Sequence, residues 1–401
     1  MKAQPRSTLA LVALAYLPDV LSMMTVGVVV PFIAVLSRDL TATPAELGLA
    51  IALFSMPTAI LATLGGGLID RYGIRRSMLF AGACSAIASA FGSLTHSLLA
   101  FDCALVLAGL GFGGICVAAP SLLIHTLTDG PRIRAMSFLS TFAPTGYAAG
   151  LLLAVPFADS GDWRTALRLH ALLMGVMVVA MAIYLPAIGA STSGENTRRR
   201  QSLGQMLAIL REPRALRLGI AVALPNALSY GTSLAAPSYL ARVHDLSLAT
   251  SSATVALAKI VAMVVGGLSM GYLLSRAVST TLLFAIMAAI GAVAQVVLFL
   301  PASGITLATA GLILWLFAFG GMSGGAMTLL PSVAPDPARS GAASGLINQF
   351  ISAASFAAPP TWLALQDGVH FMGLAAVCLL FSLIALPGSP AVAPARRAES
   401  P

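Results

Sequence analysis

Residues 66–76, Gly66-Gly67-Leu68-Ile69-Asp70-Arg71-Tyr72-Gly73-Ile74-Arg75-Arg76, close one long apolar run and open the next. Glycines 66 and 67 allow two helices to approach closely, and Gly73 suits a tight turn. Three arginines and an aspartate crowd the hinge between the runs. Parts of the stretch return 200 residues later, as Gly266-Gly267-Leu268, Tyr272 and Arg276. Leu17-Pro18-Asp19-Val20-Leu21-Ser22 likewise returns 207 residues on as Leu224-Pro225-Asn226-Ala227-Leu228-Ser229, and Phe112-Gly113-Gly114 as Phe319-Gly320-Gly321. One such match in an apolar chain is weak evidence. Three that each pair a run with the sixth run after it point to an internal duplication.

The composition fits membrane-spanning runs. Of 401 residues, 58% are apolar and 9% charged, with a mean hydropathy of +0.93; a soluble domain carries about 25% charge. A water-soluble enzyme is excluded. Twelve spans of about 20 residues would take about 240 residues, close to the apolar total. A β-barrel is disfavoured, because barrel strands alternate apolar and polar residues and these runs are continuous. The formal charge of +8 would suggest a nucleic-acid partner in a soluble protein, but in a membrane protein the position of each charge decides, and no nucleic acid is expected.

Twelve candidate helices follow, at 8–36, 45–69, 77–95, 98–126, 135–158, 165–187, 215–241, 248–275, 279–300, 304–333, 340–365 and 370–388. Lys2 and Arg6 precede the first run as they would in a secretory leader. That run continues from Leu9 to Leu36 without a small-residue cleavage site, so it reads as an uncleaved span. Seventeen of the 22 basic residues fall on the side that holds both termini, and only Arg38, Arg164, Arg168 and Arg242 on the other. The bias makes both termini cytoplasmic. The expected organisation is a first six-helix half (1–190), a cytoplasmic linker (191–214) containing Arg198-Arg199-Arg200, a second half (215–390) and a short tail (391–401). The basic triplet suits a topology and headgroup determinant. Cys84, Cys103, Cys116 and Cys378 sit in apolar runs with no paired spacing, which indicates packing rather than a disulfide or metal site.

Gly66-x-Leu68-x-Asp70-Arg71-x-Gly73-x-Arg75-Arg76 resembles the cytoplasmic signature between helices 2 and 3 of the major facilitator superfamily. Asp162-Trp163-Arg164 resembles that family's start of helix 6. The resemblance extends over the whole chain through its twelve spans and two halves. It implies an all-α membrane fold whose halves are related by a pseudo-two-fold axis, with substrate bound between them and released by rocking. It also implies that Asp70 caps the N-terminus of helix 11 near Arg339-Ser340-Gly341, latching the cytoplasmic side. Met270 stands at the equivalent place in the second half, so such a latch is one-sided. Two departures weaken an efflux reading. Leu105 stands where many proton-coupled members have an arginine, and Gly150-Leu151 where drug antiporters have Gly-Pro, although Gly146-x-x-x-Gly150 is kept.

Ionisable side chains inside spans are costly and are functional candidates by default. Asp19 lies eleven residues into span 1 and Lys259 eleven into span 8, each about 16 Å along its helix. Three readings compete. Asp19 is a proton-binding carboxylate; Lys259 is the counter-ion of a substrate carboxylate; or the two pair across the halves and substrate competes for Lys259. Against these, Asp19 satisfies backbone groups freed by Pro18, and Lys259 snorkels toward an interface. Asn226, Tyr230, Tyr147, Asn348 and Gln349 are polar candidates to complete the site, each equally suited to a helix–helix hydrogen bond. Gln295 falls in span 9, which the resemblance places outside the cavity. The row Met174, Met177, Met181 reads as packing, and the glycines of spans 4 and 10 as close-packing residues rather than a phosphate loop. Histidines 125 and 170 fall near span ends, and no nucleophile–base or metal-ligand spacing stands out.

The expected function is secondary active transport by a monomer in the inner (plasma) membrane. It would move a small organic solute, first of all a small organic anion, with the proton as coupling ion and no cofactor. The alternative is a proton-coupled efflux antiporter for drugs or metabolites. A membrane-embedded enzyme or sensor would need ionisable residues clustered at one face or an added soluble domain, and the sequence has neither.

Overall fold

The computed structural model describes residues 7–139, 141–186, 212–276, 278–327, 329, 337–365 and 367–386. Every regular element among them is helical. In chain order they are α1 (Thr8–Val29), a 3-10 turn (Val30–Phe32), α2 (Ile33–Asp39), α3 (Pro44–Tyr72), α4 (Ile74–Gly92), α5 (Leu98–Thr126), α6 (Asp129–Leu139), α7 (Phe142–Ala158), α8 (Trp163–Tyr184), α9 (Pro213–Val243), α10 (Leu248–Ser275), α11 (Thr280–Phe299), α12 (Gly304–Met327), α13 (Pro337–Leu365) and α14 (Gly368–Ala385), with a second 3-10 turn at Pro301–Ser303. Helices overlie each of the twelve expected intervals, and nine of the described ones are long and apolar enough to cross a membrane. The tail and nearly all of the linker, with its basic triplet, lie outside the described residues.

Two intervals differ from the sequence reading. The first span runs on to Asp39 instead of ending at 36, and it is broken at Val30–Phe32. Pro31 supplies no amide to the Gly27 carbonyl, so the α-helical ladder lapses into a 3-10 turn there. The fifth interval is two helices, α6 and α7, rather than one. Pro144 is the third residue of α7, where a missing amide costs nothing; further back in a continuous helix it would break the ladder.

The same packing occurs twice. α1 lies on α7 as α9 lies on α13, α3 on α5 as α10 on α12, α4 on α5 as α11 on α12, and α4 on α8 as α11 on α14. These sets form a first half (α1–α8) and a second half (α9–α14). They meet along two symmetry-related seams, α3 against α13 and α7 against α10.

Within the halves, close approach is secured by glycines. A side chain at Gly27 would place its Cβ 2.2 Å from the Tyr147 carbonyl oxygen, and one at Gly150 would lie 2.4 Å from that of Met24. The retained Gly146-x-x-x-Gly150 pattern is thus the surface on which α7 meets α1.

Interior prolines free carbonyls that other helices then use. Pro225 offers no amide to Ala221, and the buried Ser382 hydroxyl of α14 donates to the Ala221 oxygen at 2.7 Å. Ser382→Ala is expected to lower unfolding stability in mixed micelles by about 1–3 kcal/mol, the cost of an orphaned buried acceptor. In a Pro225→Ala background, where the helix supplies its own amide, the loss should shrink markedly. Equal losses in both backgrounds would show that Ser382 does not serve that carbonyl.

The two ends of the bundle are fixed differently. At the near end, where α1 begins, arginines clamp helix C-termini: Arg75 donates to the Ala182 carbonyl of α8 at 2.5 Å, and Arg217 to the carbonyls of Ile384, Ala385 and Leu386 at the end of α14 at 3.1–3.2 Å. At the far end Asp162 caps α8 through Thr165 N–H at 3.1 Å. The Thr165 hydroxyl and amide hold its carboxyl below the usual carboxylate range. Trp163 donates to Asp39 at 2.9 Å, and Arg164 stacks on Trp163 while donating to the Ser93 and Thr95 carbonyls past α4. Asp159, just past α7, crosses to the second half and accepts the Ala249 N–H at the start of α10, at 3.1 Å.

Candidate functional site

Pro237 in α9 gives no amide to the Ser233 carbonyl four residues earlier. That free oxygen accepts the Tyr147 hydroxyl of α7 at 2.6 Å. The Ser233 hydroxyl donates to the Ser229 carbonyl at 2.7 Å and accepts from Lys259 Nζ of α10 at 2.6 Å. Lys259 Nζ also lies 4.5 Å from the centroid of the Tyr147 ring. With Lys259 7% and Tyr147 1% exposed, the ammonium is withdrawn from lipid, in contrast to a snorkelling lysine. Among the described residues no carboxylate lies within ion-pair distance of it. Its charge meets a hydroxyl and a ring face, and among the described residues one of its three N–H donors is left over.

Asp19 is 1% exposed in α1. Neither carboxyl oxygen receives a hydrogen bond of ordinary geometry; the polar group beside it is the Cys116 thiol of α5, a weak donor. Cys116, read from the sequence as packing, therefore stands at the acid. The carbonyl of Asp19 accepts the Ser22 hydroxyl at 3.1 Å, so it is the backbone here, and not the carboxylate, that is served locally.

Asp19 and Lys259 do not meet. In α7, Gly146 packs against the Val20 backbone next to Asp19, and the neighbouring Tyr147 faces Lys259. Ser233, which accepts from Lys259, stands seven residues past Asn226, the repeat mate of Asp19. The lysine is thus offset from the acid toward the far end by roughly one to two helical turns.

The other candidates disperse around these two. Asn226, the repeat mate of Asp19, donates to the Val222 carbonyl of its own helix at 2.9 Å. Tyr230 stands beside Ser55 of α3, and Gln349 of α13 donates to the Ala59 carbonyl of α3 at 3.2 Å; both cross the seam between halves. Asn348 belongs to α13 and Asp70 to α3, but their side chains, like those of Arg339 to Gly341, lie outside the described residues, and with them the expected cytoplasmic latch. Of the remaining signature, Gly66 is within α3, and Gly73 ends that helix at φ +83°, where a side chain would be strained. Arg71 covers Tyr72, Arg75 clamps α8, and Arg76 is exposed.

Three placements went unread in the sequence. Ser233 is the hub of the lysine cluster. Gln295, fully buried, donates to Thr232 of α9 at 3.0 Å, so span 9 does reach the helix that carries Ser233. His170, near the start of its span, is fully buried: Nε2 donates to the Leu21 carbonyl at 2.7 Å and Nδ1 accepts from Ser89 at 2.8 Å. Among the described residues this serine–histidine contact has no third acid, and its second nitrogen is engaged by backbone. The buried methionines 174 and 181 lie against Gly82, as packing residues. No group of three metal-ligating side chains occurs among the described residues.

The chain resembles several solved membrane transporters. It aligns with the nucleoside transporter NupG at a TM-score of 0.77 and 13% identity, over 95% of this chain and all of that one. It aligns with the xylose transporter XylE of Escherichia coli at 0.73 and 16%, over 96% and 97% of the two chains. At such identities the likeness is one of fold. By sequence it is 30% identical over 171 residues to NiaP of Bacillus subtilis, a protein named for niacin/nicotinamide transport, covering 43% of each chain. It is 26% identical over 255 residues to the spinster homologue 3 of Danio rerio, covering 60% of this chain and 50% of that one. The matches span about half the length of these relatives or less. Residues 19–359 match the family profile of the Major Facilitator Superfamily, and with the repeated helical packing this places the chain in that family of membrane transporters.

Proposed function

We propose that this protein is a secondary active transporter that carries a small organic anion through a bacterial inner membrane by alternating access, coupled to protons. The observation that carries the reading is Lys259: a deeply buried ammonium with no carboxylate beside it among the described residues. A buried charge without a counter-charge is costly, and an anionic substrate between the halves would supply one. Ser233 and Tyr147 hold the ammonium at the α7–α10 seam, Tyr230 and Gln349 stand against α3 across the halves, and Asn226 of α9 and Asn348 of α13 are the further polar residues we assign to the pathway. Asp19, unbonded at its own depth, is the proton carrier. Both termini are cytoplasmic, following the basic residues, and the working unit is a monomer of two halves joined by the linker.

Matched acid and amide probes test the substrate class. Nicotinate should raise the unfolding temperature of the purified protein and nicotinamide should not, and benzoate should do so against benzamide. Lys259→Met should weaken carboxylate binding by about 2–5 kcal/mol, roughly 30-fold or more. Equal response to acid and amide, or a carboxylate affinity indifferent to Lys259→Met, would sink the anion reading. The efflux alternative draws on Asp19, whose carboxylate suits a cationic drug; proteoliposomes with an imposed pH gradient would then lose substrate where an importer gains it.

A further inference from the structure

Tyr147 belongs to the first half, and both groups it touches belong to the second. Its hydroxyl donates to the carbonyl that Pro237 leaves free at Ser233, and its ring faces the Lys259 ammonium. The residue is held rigidly: Gly27 of α1 lies under its carbonyl oxygen, and Gly146 and Gly150 on either side of it press against the α1 backbone. Farther along the same helix, Asp159 holds the Ala249 amide of α10. All of these attachments use backbone or charge that the second half cannot satisfy alone.

We propose that Tyr147 is a clamp between the halves, and that an anion arriving at Lys259 releases it. The halves separate along α7 and α10 only when the hydroxyl leaves the Ser233 carbonyl and the ring leaves the ammonium. An anion at the third N–H of Lys259 neutralises the charge on which the ring contact depends, so the substrate weakens the clamp from the inside. Release by anion rests on the counter-ion reading of Lys259; the clamp itself does not, and a ligand-free measurement separates them.

The Ala249 amide is the reporter, because it is protected across the seam by Asp159. Hydrogen–deuterium exchange of the full chain in nanodiscs, without ligand, should show peptides covering residues 247–256 exchanging about five-fold faster in Tyr147→Phe, the effect of one lost hydrogen bond. Tyr239→Phe is the control: its hydroxyl bonds the Phe299 carbonyl within the second half at 2.7 Å, and its loss should leave these peptides unchanged. Identical exchange in the two variants would overturn the clamp. Tyr147→Leu and Lys259→Met should also be non-additive, the double variant exchanging no faster than Tyr147→Leu alone; additive rates would remove Lys259 from it. Adding benzoate to the unaltered protein should speed the same peptides, and a faster Tyr147→Phe with no benzoate effect would overturn anion release while leaving the clamp standing.

Discussion

Asp19→Asn is expected to abolish accumulation driven by a pH gradient while leaving substrate exchange between the two sides of a proteoliposome intact. Asparagine has the shape of the protonated carboxyl and carries no proton to release, so the variant imitates one half of the cycle. The substitution keeps the side chain's shape and an acceptor oxygen for the Cys116 thiol beside it, and the repeat mate at 226 is already asparagine. An ionised carboxylate among apolar helices costs several kcal/mol, which is why proton gain and loss there can be coupled to a change of exposure. Gradient-driven uptake at the unaltered rate in Asp19→Asn would show that the proton is carried elsewhere. Loss of exchange as well would mean that Asp19 binds substrate.

The largest structural effect is expected from Gly27→Ala. Its Cβ would stand 2.2 Å from the Tyr147 carbonyl oxygen and 3.0 Å from the Gly150 Cα. Those are backbone atoms of a packed helix and cannot turn aside, so α1 and α7 must separate. Overpacking of this kind costs about 1–3 kcal/mol or more, and here it also displaces Tyr147 from Ser233 and Lys259. Gly82→Ala offers the contrast, since its Cβ would meet Met181 Cε at 2.7 Å, the end of a flexible side chain, and Val178 Cγ2 at 2.9 Å, so that side chains and not a helix backbone must give way. Thermal unfolding should therefore drop sharply for Gly27→Ala and little for Gly82→Ala. Similar midpoints would mean that the α1–α7 contact is looser than it looks.

Much of this architecture is written openly in the chain. Apolar runs of span length, basic residues at their ends and the paired motifs at offsets of 200 and 207 each reflect a constraint the bilayer imposes on every residue of a span, so they survive as pattern. Asp19 and Lys259 stand out for the same reason, because charge inside a span is conspicuous. Ser233 does not, since serine is unremarkable in an apolar helix; its only flag is Pro237 four residues later, which marks a carbonyl in search of a donor. Cys116 and the Thr232–Gln295 pair are equally silent, being neutral groups whose importance arises from neighbours distant in sequence. The extent of the first span is less legible: Pro31 turns its ladder into a 3-10 turn without ending it, and helix continues to Asp39.

That offset in depth has an electrical meaning. A charge that crosses the whole membrane exchanges about 2.3 kcal/mol with each 100 mV of potential, and a charge that stops partway takes only its share. With Asp19 set nearer the end that holds the termini and Lys259 farther from it, a proton and an anion entering together from outside traverse different shares of the field before they are held. Membrane voltage therefore acts on the two loading steps separately, and the field, as well as the pH difference, sets the order in which the two sites fill.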